Sequence, residues 1–365
     1  MLTPKQRILS ALRGQPVDRI PYCPFLAYWW EFHQAELPMD SQLDFMEFIG
    51  ADPLLRGMAT LFSCKHNKAR HLVLEESAAV RRYQYQTPLG DLTYSYRYAR
   101  SSQTWFLTEH PVKELRDLEA LQYLFDDLTV VPDSDSFETW AEKIGPRGLL
   151  VPVVGAIQPK SSFQSLVEFW IGTQELCYML ADDPQAVEDT LAYLRERNRE
   201  GIRIACQTSA EAVISWEDTS TTNITPGMFR DYILPEIREW SGLLHQAGKL
   251  FLHHACGHIH DLLPLMAGSD IDALESIASP PTGNTTLPDA RRALPSSIAL
   301  VGGIEATELE RLSAEQLEKV IQERLRALPE TGFVLANSDS CPPGVSLDNL
   351  KLPAQIVRHI ERSNG

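Results

Sequence analysis

No stretch of the chain approaches the roughly 20 apolar residues that span a bilayer. Its opening, MLTPKQRILSALRG, lacks the apolar run of a secretory signal. The expectation is a cytoplasmic protein without a membrane segment. Basic charge is also scarce: 33 Lys and Arg stand against 49 Asp and Glu, a formal net charge of -16. That balance leaves no general basic face for a phosphate backbone, so nucleic acid is not an expected partner. Cysteine is sparse and scattered. The six thiols (Cys23, Cys64, Cys177, Cys206, Cys256, Cys341) fit free residues or metal ligands in a reducing compartment better than a disulfide framework. No Walker-type loop or full dinucleotide fingerprint occurs, which removes the common nucleotide-binding readings. Internal repeats and low-complexity tracts are absent too, and residues 1–365 are expected to form a single domain.

What is present is an ordinary apolar content of 44%, enough for a large core in 365 residues. Short β-branched or apolar runs alternate with long amphipathic segments, the pattern of βα units building a parallel sheet. The runs Ile20 to Phe25, Leu149 to Gly155, Ala212 to Trp216, Lys249 to His253, Asp272 to Ser276, Ile298 to Gly302 and Gly332 to Ala336 predict strands. Asp183 to Cys206, Pro226 to Ala247, Ser313 to Leu328 and Asp348 to Arg362 predict helices, with Thr225 as N-cap ahead of Pro226. Length and alternation together predict an α/β fold of the closed (β/α)8 TIM-barrel kind. One region departs from the alternation. Residues 78 to 107 carry strand-like periodicity around Thr87-Pro88-Leu89-Gly90-Asp91 and predict an antiparallel hairpin inserted in the barrel. The acidic stretch DDLTVVPDSDSF, Asp126 to Phe137, reads as a loop.

In a parallel barrel the catalytic groups gather where the strands end, on the rim of βα loops. The segment LFLHHACGH ends a predicted strand with His254 and Cys256 two residues apart, and alternate residues of an extended chain share a face. Alone, this pair is a weak zinc motif and reads rather as a buried cysteine beside a loop histidine. Cys341, in LANSDSCPPG after another predicted strand, supplies a third ligand for a zinc site with one position open. A third strand end, ISWEDTSTTNITP, brings Trp216, Glu217 and Asp218. Glu217 is a candidate proton-transfer group or fourth zinc ligand, and Asp218 a candidate substrate contact or a helix cap. Trp216 and Asn337 join the candidate substrate contacts. His253 reads either way, as a site or a core histidine. At the first strand end, Tyr28, Trp29 and Trp30 form an aromatic set fit for the wall of an apolar pocket, or for ordinary core.

Taken in order, TPKQRILSALRGQPVDRIPYCPF, TPLGDLT, WEDT with ITPGMFRDYILPEI, HHACGH, ALVGGI and CPPGVSLDNL resemble the uroporphyrinogen decarboxylase superfamily over nearly the whole chain. That family has a (β/α)8 barrel. Its decarboxylase branch carries an arginine-rich segment after the first strand to hold substrate carboxylates, and here FLAYWWEF has no arginine. The chain is more similar to the methylcobamide:coenzyme M methyltransferase branch, whose H-x-C and distant C ligate zinc; His254, Cys256 and Cys341 match those positions.

The resemblance implies a zinc-dependent methyltransferase that moves a methyl group between a small methylated substrate or thiol and a corrinoid. O-demethylation of an aromatic methyl ether would suit Tyr28 and Trp29. No corrinoid-binding domain is legible in the sequence, so the cobalamin is expected on a partner protein. A homodimer is a further expectation. Two alternatives stand beside this reading: a metal-independent decarboxylase of the same fold, and a non-catalytic zinc- or ligand-binding barrel.

Overall fold

The computed structural model describes residues 1–100, 104–328 and 331–359. These contain thirteen strands: β1 (Leu54–Arg56), β2 (Phe62–His66), β3 (Arg70–Glu76), β4 (Val80–Thr87), β5 (Gly90–Ala99), β6 (Thr104–Glu109), β7 (Leu128–Pro132), β8 (Leu149–Val151), β9 (Ala212–Glu217), β10 (Leu250–Ala255), β11 (Ala273–Ile277), β12 (Ala299–Ile304) and β13 (Phe333–Asn337). The chain divides into two compact units.

The first unit comprises Met1–Thr60, Ser134–Val153 and Thr208–Gly365. Its centre is a parallel sheet in the order β13-β12-β11-β10-β9. These strands are buried along nearly their whole length, which explains why they read as apolar runs rather than alternating ones. A shorter parallel pair, β1 with β8, meets the sheet through a single bridge between Val153 and Ile214. At the other side Tyr22 bridges Leu335, and the Tyr22 carbonyl accepts the Asp52 N–H at 2.7 Å. The pairing is parallel α/β as expected, but its ladders do not run continuously round a ring. The predicted first strand, Ile20 to Phe25, is reduced to that one bridge at Tyr22. Conversely, β1 had no sequence signal beyond three residues.

Helix Pro4–Leu12 begins with a capping box. Thr3 Oγ1 accepts from the Gln6 N–H at 3.2 Å, Gln6 Oε1 accepts from the Thr3 N–H at 3.0 Å, and Pro4 occupies the first turn. Its Ile8, Leu9, Ala11 and Leu12 join one core cluster with Leu54, Leu149, Ala212, Leu250, Ala273 and Ala299. Because the last six open their strands, this helix packs toward the N-terminal ends and leaves the C-terminal ends for chemistry. The remaining predicted helices lie close to their expected bounds, at Pro184–Gln207 in the second unit and at Ala314–Arg326 and Leu347–His359 in the first. Residues 360–362 of the last prediction lie outside the described residues. Behind Thr225, whose side chain accepts from the Met228 N–H, the helical stretch from Pro226 to Gln246 contains a π-helical turn at Phe229–Ile233.

An ion network anchors the entry of the first unit. Arg7 donates to Asp18 at 2.7 Å and to Asp52 at 2.5 Å, while Arg19 donates to both oxygens of Asp52 at 2.5 and 2.9 Å. The hydrogen bond from Arg7 is the main reason that the Asp18 carboxyl is held down at about 2. A carboxylate with a depressed folded-state pKa adds stability above its ordinary value and loses it as the pH falls toward the folded one. Asp18→Asn is therefore expected to remove about 1 kcal/mol of stability at neutral pH, after screening, and to flatten the loss between about pH 4 and pH 2. Urea midpoints of the two proteins measured across that range check this; parallel acid profiles would refute it.

The second unit comprises Leu61–Asp133 and Val154–Gln207. In place of a lone hairpin over 78–107, it has a four-stranded antiparallel sheet in the order β3-β4-β5-β6. The turn between β4 and β5 pairs Thr87 with Gly90, and Thr87 Oγ1 donates to the Gly90 carbonyl at 2.7 Å. The sheet's aromatic face stacks His71, Tyr83, Tyr85 and Tyr94, with the His71 ring against the Tyr94 hydroxyl at 2.8 Å. The acidic stretch read as a loop, Asp126 to Phe137, is a correction: it forms β7, paired antiparallel with β2, and then opens helix Asp135–Ile144 in the first unit. Val130 and Val131 carry that strand inside a polar context that masked it. Among the described residues, no helix is long and apolar enough to cross a membrane.

Candidate active site at the strand ends

Within the first unit, β1, β9, β10 and β11 place a connected set of side chains toward their C-terminal ends. Side chains at alternate positions of a strand share a face. Ala212 and Ile214, Leu250 and Leu252, and Ala273 belong to the interior cluster, so Trp216, His254 and Glu275 continue the same face one step further along. Arg56 continues that of Leu54. The result is a chain of buried charges. Arg56 Nε pairs with Glu275 Oε1, and Glu275 Oε2 lies 2.9 Å from His254 Nδ1. Burial alone would push the Glu275 carboxyl up, but Arg56 and then His254 outweigh it and hold it below the ordinary carboxylate range. With Nδ1 committed to Glu275, the imidazole of His254 is fixed in orientation and its Nε2 is left for other chemistry.

Two aromatic rings flank His254, Phe25 at 6.3 Å and Trp216 at 6.2 Å between centroids, and they meet each other at 5.4 Å. Arg56 lies 5.3 Å from the Phe25 ring. The Trp216 ring is admitted by Gly57, whose φ is +67°; a Cβ there would stand 2.7 Å from Trp216 Cζ3. Phe25, Trp30, Trp216 and Arg56 border a cavity of about 190 Å³.

Glu217 is buried, and Thr219 Oγ1 donates to its Oε2 at 3.3 Å. Cys256 is half-buried, with its Sγ 3.7 Å from the Glu217 carbonyl and 3.8 Å from Asp218 Oδ1. The loops after β9 and β10 are laced together here, since the Thr221 N–H and hydroxyl both donate to the His258 carbonyl at 2.9 Å. Gly257 makes the approach possible. Its φ is +85°, and a Cβ would lie 2.8 Å from Ser220. Asp218 also accepts from Asn223 Nδ2 at 3.2 Å, so part of its role is to hold this loop.

Cys341 is fully buried, and its N–H donates to the Phe25 carbonyl at 2.9 Å. Burial, with the Glu310 charge adding to it, pushes the Cys341 thiol up. Asn337 clamps the same backbone: its Oδ1 accepts from the Phe25 N–H at 2.8 Å and its Nδ2 donates to the Phe25 carbonyl at 2.9 Å. Both ends of the Asn337 amide are thus engaged in holding the Phe25 backbone. His254 and Cys341 are each tied to Phe25, one through the ring and one through the main chain.

The placement of Tyr28 and Trp29 differs from the strand end expected of them. Both lie on helix Ala27–His33 rather than at a strand end. Trp29 is buried, donates from Nε1 to the Val345 carbonyl at 2.8 Å and stacks on Phe45 at 4.7 Å, so its faces are spent on packing. Tyr28 is exposed. His253, on the opposite face of β10, is buried against Ser215 Oγ at 2.8 Å, and burial drives its imidazole down to about 3, which keeps it neutral. Arg56 and Glu275 were missed from the sequence. A strand ending in an arginine or holding a glutamate among apolar residues, as in LLRG and ALESI, was the one available signal.

Among the described residues, no three His, Cys, Asp or Glu side chains are gathered closely enough to hold a metal ion. The donor set nevertheless suits zinc in its chemistry. It offers one imidazole and two thiols, and a carboxylate already hydrogen-bonded to the non-ligating nitrogen of the imidazole is the usual support of a metal-binding histidine.

Among solved structures, the chain is similar to a methyltransferase from Methanosarcina mazei. Identity is 15%, the match covers 98% of this chain and 99% of that one, and the TM-score is 0.65, a likeness of fold. A B12-independent methionine synthase from Shewanella sp. W3-18-1 is more distant, at 9% identity, 87% and 85% coverage and a TM-score of 0.47. No curated protein matches the sequence. The model of the family described as uroporphyrinogen decarboxylase (URO-D) matches residues 102–360, most of the chain. With its parallel α/β sheet and its candidate groups at the strand ends, the chain belongs to the uroporphyrinogen decarboxylase family.

Proposed function

We propose that the chain is a methyltransferase that moves a methyl group between a small methylated molecule or thiol and a corrinoid carried by a partner protein. The first unit is read as a (β/α)8 barrel whose ring is completed through Tyr22, β1 and β8, with the second unit as an addition to it. His254, Cys256 and Cys341 would hold a zinc ion, which supplies Lewis acidity toward a bound thiol or leaving atom. The observation that carries the reading is the buried series Arg56, Glu275, His254 at the strand ends.

Each protein group has a task in this scheme. Glu275 orients His254 and raises its basicity, and Arg56 keeps Glu275 ionised inside an apolar wall. Phe25 and Trp216 exclude water from the His254 ring. Glu217 meets Cys256 through its main-chain carbonyl, and its buried carboxylate is the proposed group that takes or returns a proton; Asp218 holds the loop that presents Cys256. A cavity of about 190 Å³ beside Trp216 and Trp30 fits a small ligand, such as an aromatic methyl ether, and falls below the usual range for larger ones. Decarboxylation of a polycarboxylate is the weaker reading, because Arg56 is already neutralised by Glu275 and FLAYWWEF offers no other cation.

The test combines metal analysis of the reduced protein with a methyl-transfer assay. Methylated thiols, methyl ethers and methylamines are screened with a cobalamin-loaded corrinoid protein, following the change in the corrinoid spectrum. The expected result is about one zinc per chain and transfer that a chelator abolishes. Folded protein that takes up no zinc and transfers no methyl group would overturn the proposal.

A further inference from the structure

The cavity of about 190 Å³ beside Trp216 has a charge character that the methyl chemistry does not use. On helix Ala27–His33, Ala27, Trp30 and Glu31 fall at i, i+3 and i+4, so they share one face, and that face lines the cavity. The Trp30 ring joins those of Phe25 and Trp216 on the wall. All three are half-buried, which leaves ring surface open to the cavity. Gln42, the first residue of helix Gln42–Phe48, adds an amide.

Charge decides what such a space holds. Arg56 borders it too, but its guanidinium is matched by the Glu275 carboxylate. Glu31 is exposed, and neither its carboxylate nor the Gln42 amide has a hydrogen-bond or ion-pair partner among the described residues. The wall is therefore aromatic with one unmatched negative charge. Aromatic ring faces are themselves negative, so rings and carboxylate act on a ligand in the same sense.

We infer that Glu31 is a specificity-determining residue: with the three rings it selects a small molecule bearing an ammonium group and rejects an anionic one. Aromatic walls take alkylated ammonium groups through charge and apolar methyl surface together. A neutral ether of the same size fills the space but leaves Glu31 unmatched. A carboxylate or sulfonate meets Glu31 with like charge and finds no free cation in return. That the ammonium belongs to the methyl-transfer substrate rests on the function proposed for the strand ends. Phe25 and Trp216 both flank His254, so one molecule can hold its ammonium in the cavity and turn its methylated atom or thiol toward His254. The preference of the cavity for a cation does not depend on that step.

Three probes test it: choline, its uncharged isostere dimethylbutanol, in which tert-butyl replaces trimethylammonium, and pivalate, a tert-butyl carboxylate. Each is titrated into the full chain, read by tryptophan fluorescence and calorimetry. Choline is expected to bind about tenfold or more tighter than dimethylbutanol, and pivalate more weakly than either. Glu31→Gln should weaken choline by about fivefold or more and leave dimethylbutanol unchanged. Glu36→Gln removes an exposed carboxylate that does not line the cavity, and it should keep the preference. That control separates Glu31 from the chain's net charge of -16. Trp30→Leu should weaken choline by about tenfold, with circular dichroism reporting the fold. Equal affinity for choline and dimethylbutanol, tighter binding of pivalate, choline binding indifferent to Glu31→Gln, or no binding of any probe would overturn the inference. The titrations need neither zinc nor a corrinoid protein, so a failed methyl-transfer assay leaves them standing, and a failed charge preference leaves the methyl chemistry standing.

Discussion

With zinc held as proposed, His254→Ala is expected to lower methyl transfer by about 10³-fold or more and to abolish zinc uptake. Several kcal/mol of transition-state stabilisation depend on a metal acting as Lewis acid, and each 1.36 kcal/mol is a factor of ten in rate. His254 is the only nitrogen ligand proposed, and it is the one whose orientation the fold fixes most firmly, through Glu275 at 2.9 Å. Glu275→Gln serves as the graded control. An amide can still hydrogen-bond the imidazole but no longer raises its basicity, so a loss of about 10–100-fold in affinity or activity is expected there. Metal content and single-turnover rates of both variants, with circular dichroism to confirm folding, give the readout. A His254→Ala protein that keeps zinc and activity would show that the ion, if bound, sits elsewhere.

The parts of this site that were legible in the sequence are those whose meaning is local. β9 and β10 are apolar runs interrupted at their ends by Trp216, Glu217, His254 and Cys256, and a polar residue ending a buried strand marks a rim position by itself. Thr225-Pro226 likewise announces a helix start from two residues. Arg56 and Glu275 carry only a faint local mark, a charge in a very short apolar run, and what makes them significant is that they meet across the sheet, in contact with each other, while Glu275 also meets His254. β1 is three residues long, below the length at which periodicity says anything. The first strand was overread for the opposite reason. Ile20 to Phe25 has the composition of a strand, yet Pro21 and Pro24 cannot donate to a ladder, and pairing survives only around Tyr22. Trp29 shows the same limit at the level of a side chain. An aromatic set is equally consistent with a pocket wall and with core, and the hydrogen bond to the Val345 carbonyl decides for core. Of the four strands of the second unit's antiparallel sheet, only β4 and β5 announce themselves as a hairpin, because a recognisable two-residue turn joins them. β3 is exposed on both faces and shows no alternation to read.

Arg56→Met is expected to destabilise the protein by about 3 kcal/mol or more, the largest stability effect among the site residues. Both partners of the Arg56 and Glu275 pair are almost fully buried, with side chains 1% and 4% exposed. Methionine fills much of the same volume, so the loss is electrostatic rather than a cavity. Truncating one member of such a pair leaves the other charge in an apolar setting with one partner fewer, and breaking buried pairs in this way costs about 3–5 kcal/mol. Glu275 would then depend on His254 alone against a burial that opposes its charge. The double variant R56M/E275Q separates the pair's coupling from the cost of either change. With no charge left to strand, it should lose less stability than the sum of the singles, by about 1–3 kcal/mol. Arg56→Met should also loosen the orientation of His254, so kcat should fall by about 10–100-fold with little change in the affinity for a corrinoid protein that touches neither residue. Urea denaturation with an unchanged slope measures the first effect. A midpoint for Arg56→Met within about 0.5 kcal/mol of the parent would mean that water reaches this pair. Its control of His254 would then be weak, and the buried series could not carry the proposed chemistry.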